Sequence, residues 1–303
     1  MGARFRCGGF YAIAFLIGSS ITIRPAHGET STTFVADASA NYGLLGWLDH
    51  RSSYGTSWYP EPFRVDESDV DNELRLDYQH VQGRGTVSHE LHAEIEKSFG
   101  VTTIEVEGFY DINTQSLGGG RHGQDQGFGN IDLGVRTPIW QYVSPSQFFD
   151  TTMGVAFELG IPTNSPESKN TEIVPKIFND TRIGDHFSVQ TICGISYPLG
   201  SKPDGGTRKF EYGVILGWAV DHDELPLPDV QTLIPIAEFA GESGIDHSTA
   251  NTSNLSATLG VRANLNSVGA FQPRLGAGFV LPIDKGAKDE LTQGFVLSLV
   301  LEY

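Results

Sequence analysis

Counting back from Tyr303, every second residue is large and apolar: Leu301, Leu299, Leu297 and Phe295, with Glu302, Val300 and Ser298 on the other phase. A two-residue period puts successive side chains on opposite faces, so this is a strand with one apolar face. The period recurs along the chain. Ile104, Val106, Tyr110 and Ile112 alternate with Glu105, Glu107 and Asp111, and Ile131, Leu133, Val135 and Ile139 with Asp132, Gly134 and Arg136. Met153, Val155, Phe157, Leu159 and Ile161 are set against Gly154, Ala156, Glu158 and Gly160, and the stretches 209–221 and 255–265 repeat the pattern. Less regular segments of similar length (72–81, 86–97, 172–183, 186–199, 230–241, 270–283 and 291–303) bring the total to about twelve strands.

What covers the apolar faces decides the fold. A second sheet layer would make a soluble sandwich; lipid would require a closed barrel, because an open edge in a bilayer leaves backbone groups unpaired. Beyond the N-terminus no stretch is apolar enough to cross as a helix, and strands are then the means of spanning. Three features favour lipid. Glycine, at 36 of 303 residues, often falls inside the strand segments, where it relieves crowding in a curving sheet. The expected connections alternate between a shorter set, including Ser98–Gly100 and Gly184–Asp185, and a longer one, including Asn113–Gly127, Asn164–Thr171 and Glu242–Ser253. His222–Asp229 is too long for its side. Aromatic residues (Phe99, Trp140, Tyr142, Phe148, Phe149, Phe187, Phe271 and Tyr303) gather near the expected inner strand ends, as an interfacial girdle does. The expectation is therefore an all-β, antiparallel transmembrane β-barrel of about twelve strands over residues 72–303.

Residues 1–28 read as a cleaved secretory signal. Arg4 and Arg6 precede a short apolar run, and Ala26-His27-Gly28 offers small residues at the cleavage spacing. Cleavage there removes Arg4, Arg6 and Arg24 with no acid, taking the formal charge from −17 to −20. So acidic a chain is not expected to bind nucleic acid. Cys7 leaves with the signal, Cys193 remains alone, and no internal disulfide is possible. Residues 29–71 have no period. Segments such as Trp47 to Gly55 and Tyr59-Pro60-Glu61-Pro62-Phe63 mix aromatics, charges and prolines, and two placements are open: a periplasmic extension or a plug inside the barrel.

With the apolar faces outward, the lumen-lining candidates are Glu94, Glu105, Glu107, Asp132, Arg136, Glu158, Lys176, Arg182, Glu211, Glu238, Arg262 and Arg274, with Glu90, Glu96, Asp180 and Asp221 on the same faces. They are expected to form cross-strand networks, each partner offsetting the other's desolvation. An acid-rich bore favours cations or neutral polar solutes over anions. Sharper chemistry is scarce. Asp221-His222-Asp223-Glu224 reads as a solvated turn, and Gly118 to Gly123 lacks the context of a phosphate loop. Ser88, His89 and His92 suggest an outer-membrane lipase, but the two histidines face opposite sides of a strand with no oriented acid beside a nucleophile. No catalytic residue, metal or cofactor is assigned.

The terminal strand ending on Tyr303 resembles the C-terminal signal of bacterial outer-membrane barrels, which implies outer-membrane lipid and the barrel-assembly machinery as partners through Phe295, Leu297, Leu299, Leu301 and Tyr303. Gly127 to Arg136, Leu159-Gly-Ile-Pro-Thr163, Leu233 to Glu238 and the terminal strand together resemble the outer-membrane proteins grouped under the label "MetA pathway of phenol degradation". The resemblance covers about residues 70–303 and implies a non-enzymatic channel for small, hydrophobic or aromatic molecules. Asn130 and Asn164 depart from the family's usual Asp and Gly. A structural barrel with a filled lumen and a lipid-modifying enzyme are the alternatives.

Overall fold

The computed structural model describes residues 59–66, 68, 72–99, 102–118, 121–144, 148–163, 170–199, 207–246 and 252–303. The signal and the Trp47–Gly55 segment lie outside the described residues. Nearly all the rest is strand: β1 Glu73–Gln82, β2 Thr86–Phe99, β3 Thr102–Gly118, β4 Arg121–Val143, β5 Phe149–Ile161, β6 Thr171–Ile183, β7 Phe187–Leu199, β8 Lys209–Trp218, β9 Val220–Asp221, β10 Val230–Gly244, β11 Ser253–Leu265, β12 Gln272–Pro282 and β13 Gln293–Glu302. Each strand pairs antiparallel with the next, β9 being a short continuation of β8 along β10 beyond Ala219. β13 pairs with β1 from Glu73↔Glu302 to Gln82↔Gln293, which closes a twelve-stranded barrel and leaves no edge.

Closure turns the alternation into an inside and an outside. On β2, Ile95 is 50% exposed between Glu94 at 5% and Glu96 at 0%; on β13, Leu297 is 49% exposed between Val296 at 1% and Ser298 at 6%. Leu76, Leu91, Ile104, Phe157, Ile177, Leu259 and Phe279 continue this outward apolar face around the barrel. Phe295, Leu299 and Leu301 share the phase of Leu297 on β13. Among the described residues no helix is long and apolar enough to cross a membrane.

Two departures from the sequence expectations have physical causes. The connection expected over Asn113–Gly127 is instead a strand continuation, with Asn113 paired to Asp125 and Gly118 to Arg121. Both faces of that hairpin are polar, so the period-two signal fades although the backbone ladder persists. The connection at 284–290 contains a short helix, α1 Lys285–Glu290, whose N-cap Asp284 accepts a bond from Ala287 N at 2.8 Å. The long His222–Asp229 turn does fall where expected, between β9 and β10, with Asp229 at φ 59°.

Candidate functional site: a plugged, charged lumen

Residues 59–66 and Ser68 lie inside the barrel. Pro60 sits beside Gly217 and Ser188, near the strand ends that also carry the chain's C-terminus. Phe63 reaches the middle of the wall, against Gly260 and Gly276. Val65 rests on Gly213, where a β-carbon would lie 2.3 Å from a Val65 methyl. Ser68 bonds Asp180, and Asn72 directly precedes β1. The described part of the segment thus runs from the termini end at Pro60 to mid-lumen at Arg64 and Val65, with Ser68 back toward the termini end. Small wall residues at Gly213 and Gly260 leave the space it occupies.

Charged side chains hold it. Glu238 of β10 accepts from three consecutive backbone N–H groups, Phe63 at 2.6 Å, Arg64 at 2.8 Å and Val65 at 3.0 Å. Arg262 donates to the carbonyls of Glu61 and Pro62, each at 2.5 Å, and to Ser298 Oγ at 2.9 Å, and its guanidinium lies 4.7 Å from the Phe63 ring centre. Arg75 donates to the Pro62 carbonyl at 2.8 Å and pairs with Asp77 at 2.7 Å and Glu94 at 3.7 Å. Arg274 bridges Glu61 at 3.2 Å and Glu302 at 2.6 Å. Lys176 joins Asp66 of the segment to Glu158 of the wall. A buried guanidinium or carboxylate stripped of its partner would carry a large desolvation cost, so these bonds are interdependent.

The remaining sequence candidates take their places on the same wall. Arg136 joins Glu96 and Glu105, the latter at 2.6 Å. Arg182 pairs with Asp150 near the termini end. Glu107 contacts His92 Nε2 at 3.1 Å, and Asp132 stands opposite Glu107 in the β3–β4 register. Glu211 lines a cavity of about 330 Å³ that opens beside Arg64, Asp66 and Lys176. A second cavity of about 200 Å³, on the other side of the segment's apex, is lined by six carboxylates (Asp66, Asp77, Glu90, Glu94, Glu105 and Glu107) against Arg64, Arg75 and His92. Oxygen and nitrogen atoms of His92, Glu94 and Glu107 lie within 4.8 Å of one another, a set able to hold a cation, although Arg75 already supplies positive charge at Glu94.

Glu61, Asp66, Glu73, Arg75, Asp77 and Glu302 were not among the sequence candidates. Glu73-Leu-Arg-Leu-Asp77 alternates as cleanly as any segment, and counting its phase would have placed three of them inside. Glu61 and Asp66 carry no periodic signal at all. His89 faces outward and His92 inward, and neither ring is joined to Ser88 among the described residues. Cys193 is a free thiol on the outward phase of β7.

The arrangement defines a closed antiparallel β-barrel with an inverted, charged interior. An outer-membrane channel from Pseudomonas putida F1 has a similar fold, with a TM-score of 0.54 and 13% identity over 81% of this chain and 100% of that one. The NanC porin (TM-score 0.43, 6% identity, 77% and 98% covered) and the KdgM porin (0.39, 13%, 76% and 99%) are more distant. No family model matches the chain, and none of the curated proteins does.

Proposed function

We propose that the protein is an outer-membrane channel for small solutes, held closed in this state by residues 59–68. The supporting observation is the contrast between an apolar belt of leucine, isoleucine and phenylalanine around the barrel and a charged lumen with cavities of about 330 and 200 Å³ beside the segment's apex. An uninterrupted exposed apolar surface of this kind marks a lipid-facing protein. Trp140, Tyr142, Phe149 and Phe271 near one set of strand ends fit the headgroup level. The termini end is then periplasmic, with the longer hairpins outside.

Six carboxylates against two guanidinium groups in the second cavity favour a small cationic or neutral polar solute. That lining speaks for polar solutes more than for the hydrophobic or aromatic compounds that the MetA-type resemblance implies. Reversal potentials in planar bilayers under a KCl gradient test the reading. Cation-selective conductance is expected, larger when residues 59–68 are deleted; absence of conductance in both forms would leave a structural barrel.

A further inference from the structure

A second feature of the barrel has no part in the lumen. His80 on β1 and His89 on β2 are directly opposed in the strand register, near the end away from the termini. Both are half-buried on the outward phase shared by Leu74, Leu76 and Leu91, so neither ring faces the bore. The rings lie 4.8 Å apart between centres, His80 rests against Phe295 at 5.2 Å, and His89 stacks on Tyr78 at 6.0 Å.

Their Nδ1 atoms face each other at 3.4 Å. That is long for a hydrogen bond. It does match the span of two cis ligands on one ion: tetrahedral bonds of roughly 2.0–2.1 Å put two nitrogens about 3.3–3.4 Å apart. The Tyr78 hydroxyl lies 2.7 Å from His89 Nδ1; in the neutral tautomer that carries its proton on Nε2, the Nδ1 lone pair accepts this bond. An entering ion would exchange that one hydrogen bond for a nitrogen bond. Paired strands fix the two backbones, so little ordering remains to be done when the ion arrives.

We infer that His80 and His89 form a two-imidazole binding site for a divalent transition-metal ion on the outer rim of the barrel, with water completing the coordination. Imidazole donors favour copper, nickel and zinc over magnesium and calcium, and copper should bind tightest. The site is independent of solute passage.

The test titrates the detergent-purified full chain with Cu²⁺ and, separately, Zn²⁺ by calorimetry, and records the Cu²⁺ electron paramagnetic resonance spectrum. His80→Phe and His89→Phe remove one ligand each while keeping an aromatic ring against Phe295 and Tyr78 respectively, and heat-modifiable gel migration checks that the barrel has formed. One Cu²⁺ with a two-nitrogen spectrum is expected in the parent, at least tenfold weaker in either Phe variant and unchanged in His92→Gln. Conductance should be the same in the parent and in both Phe variants. No Cu²⁺ binding by the parent, parental affinity in both Phe variants, or loss in His92→Gln instead would overturn the assignment.

Discussion

Replacing Glu238 by Ala removes a single carboxylate on which the closed state depends heavily. Its oxygens accept from Phe63, Arg64 and Val65 N–H groups at 2.6, 2.8 and 3.0 Å, and the residue is fully buried. A hydrogen bond to a charged group contributes about 1.5–3 kcal/mol. Three such bonds to adjacent residues are not additive, so a loss of about 3–5 kcal/mol in docking of the segment is reasonable. At about 1.4 kcal/mol per factor of ten, the undocked population rises by roughly two to three and a half orders of magnitude. Single-channel recording should show long open intervals in Glu238→Ala that are rare in the parent, with Glu238→Gln between them because its amide oxygen still accepts. Both variants should retain heat-modifiable migration. Glu238→Ala with parental open probability, alongside a conducting deletion of residues 59–68, would refute the idea that this carboxylate anchors the plug.

Three further outcomes follow from the same geometry. Gly213→Leu places side-chain atoms where Val65 now sits, 2.3 Å from the position of a β-carbon, and should raise conductance without changing the gel migration of the barrel. Leu297→Arg puts a charge on the outward face of β13 and should destabilise the barrel in bilayers by about 2–4 kcal/mol in urea titrations, an effect lost if that face does not meet lipid. The third concerns pH. Burial works against the charge on Asp284, but bonds from Ser253 Oγ at 2.6 Å and Ala287 N at 2.8 Å outweigh it and hold the carboxyl below its ordinary range. A carboxyl so lowered stabilises α1 fully above its unfolded-state value and loses that contribution as pH falls through the lowered one. Exchange of the Ala287 amide should therefore accelerate in acid, and Asp284→Ala, costing about 1 kcal/mol of local stability, should abolish this pH dependence.

Much of the barrel is written in local pattern. Apart from β3 and β4, the long strands begin and end close to where alternation and turn residues place them, and Ile95 between Glu94 and Glu96 shows why: a period of two with one apolar phase is a property of neighbouring residues. Pattern fails where that asymmetry fails. The hairpin of β3 and β4 runs past Asn113 because both its faces are polar, and its strands are held by ladder bonds that leave no mark on side-chain periodicity.

Which charges meet was beyond the sequence. Glu61 reaches Arg274, 213 positions away, only because β12, β13 and β1 lie side by side after closure. The same holds for Glu238 and the backbone of 63–65, and for His80 and His89, whose ring atoms meet only through register and rotamer. Residues 59–68 have no period, and their place inside follows from the shape and charge of the wall around them. The sequence by itself determined the strands wherever one phase is apolar, since burial against a non-polar surround is decided residue by residue. Tertiary structure alone decided the partners and the plug, because a buried charge can be satisfied only by whatever the closed sheet brings to it.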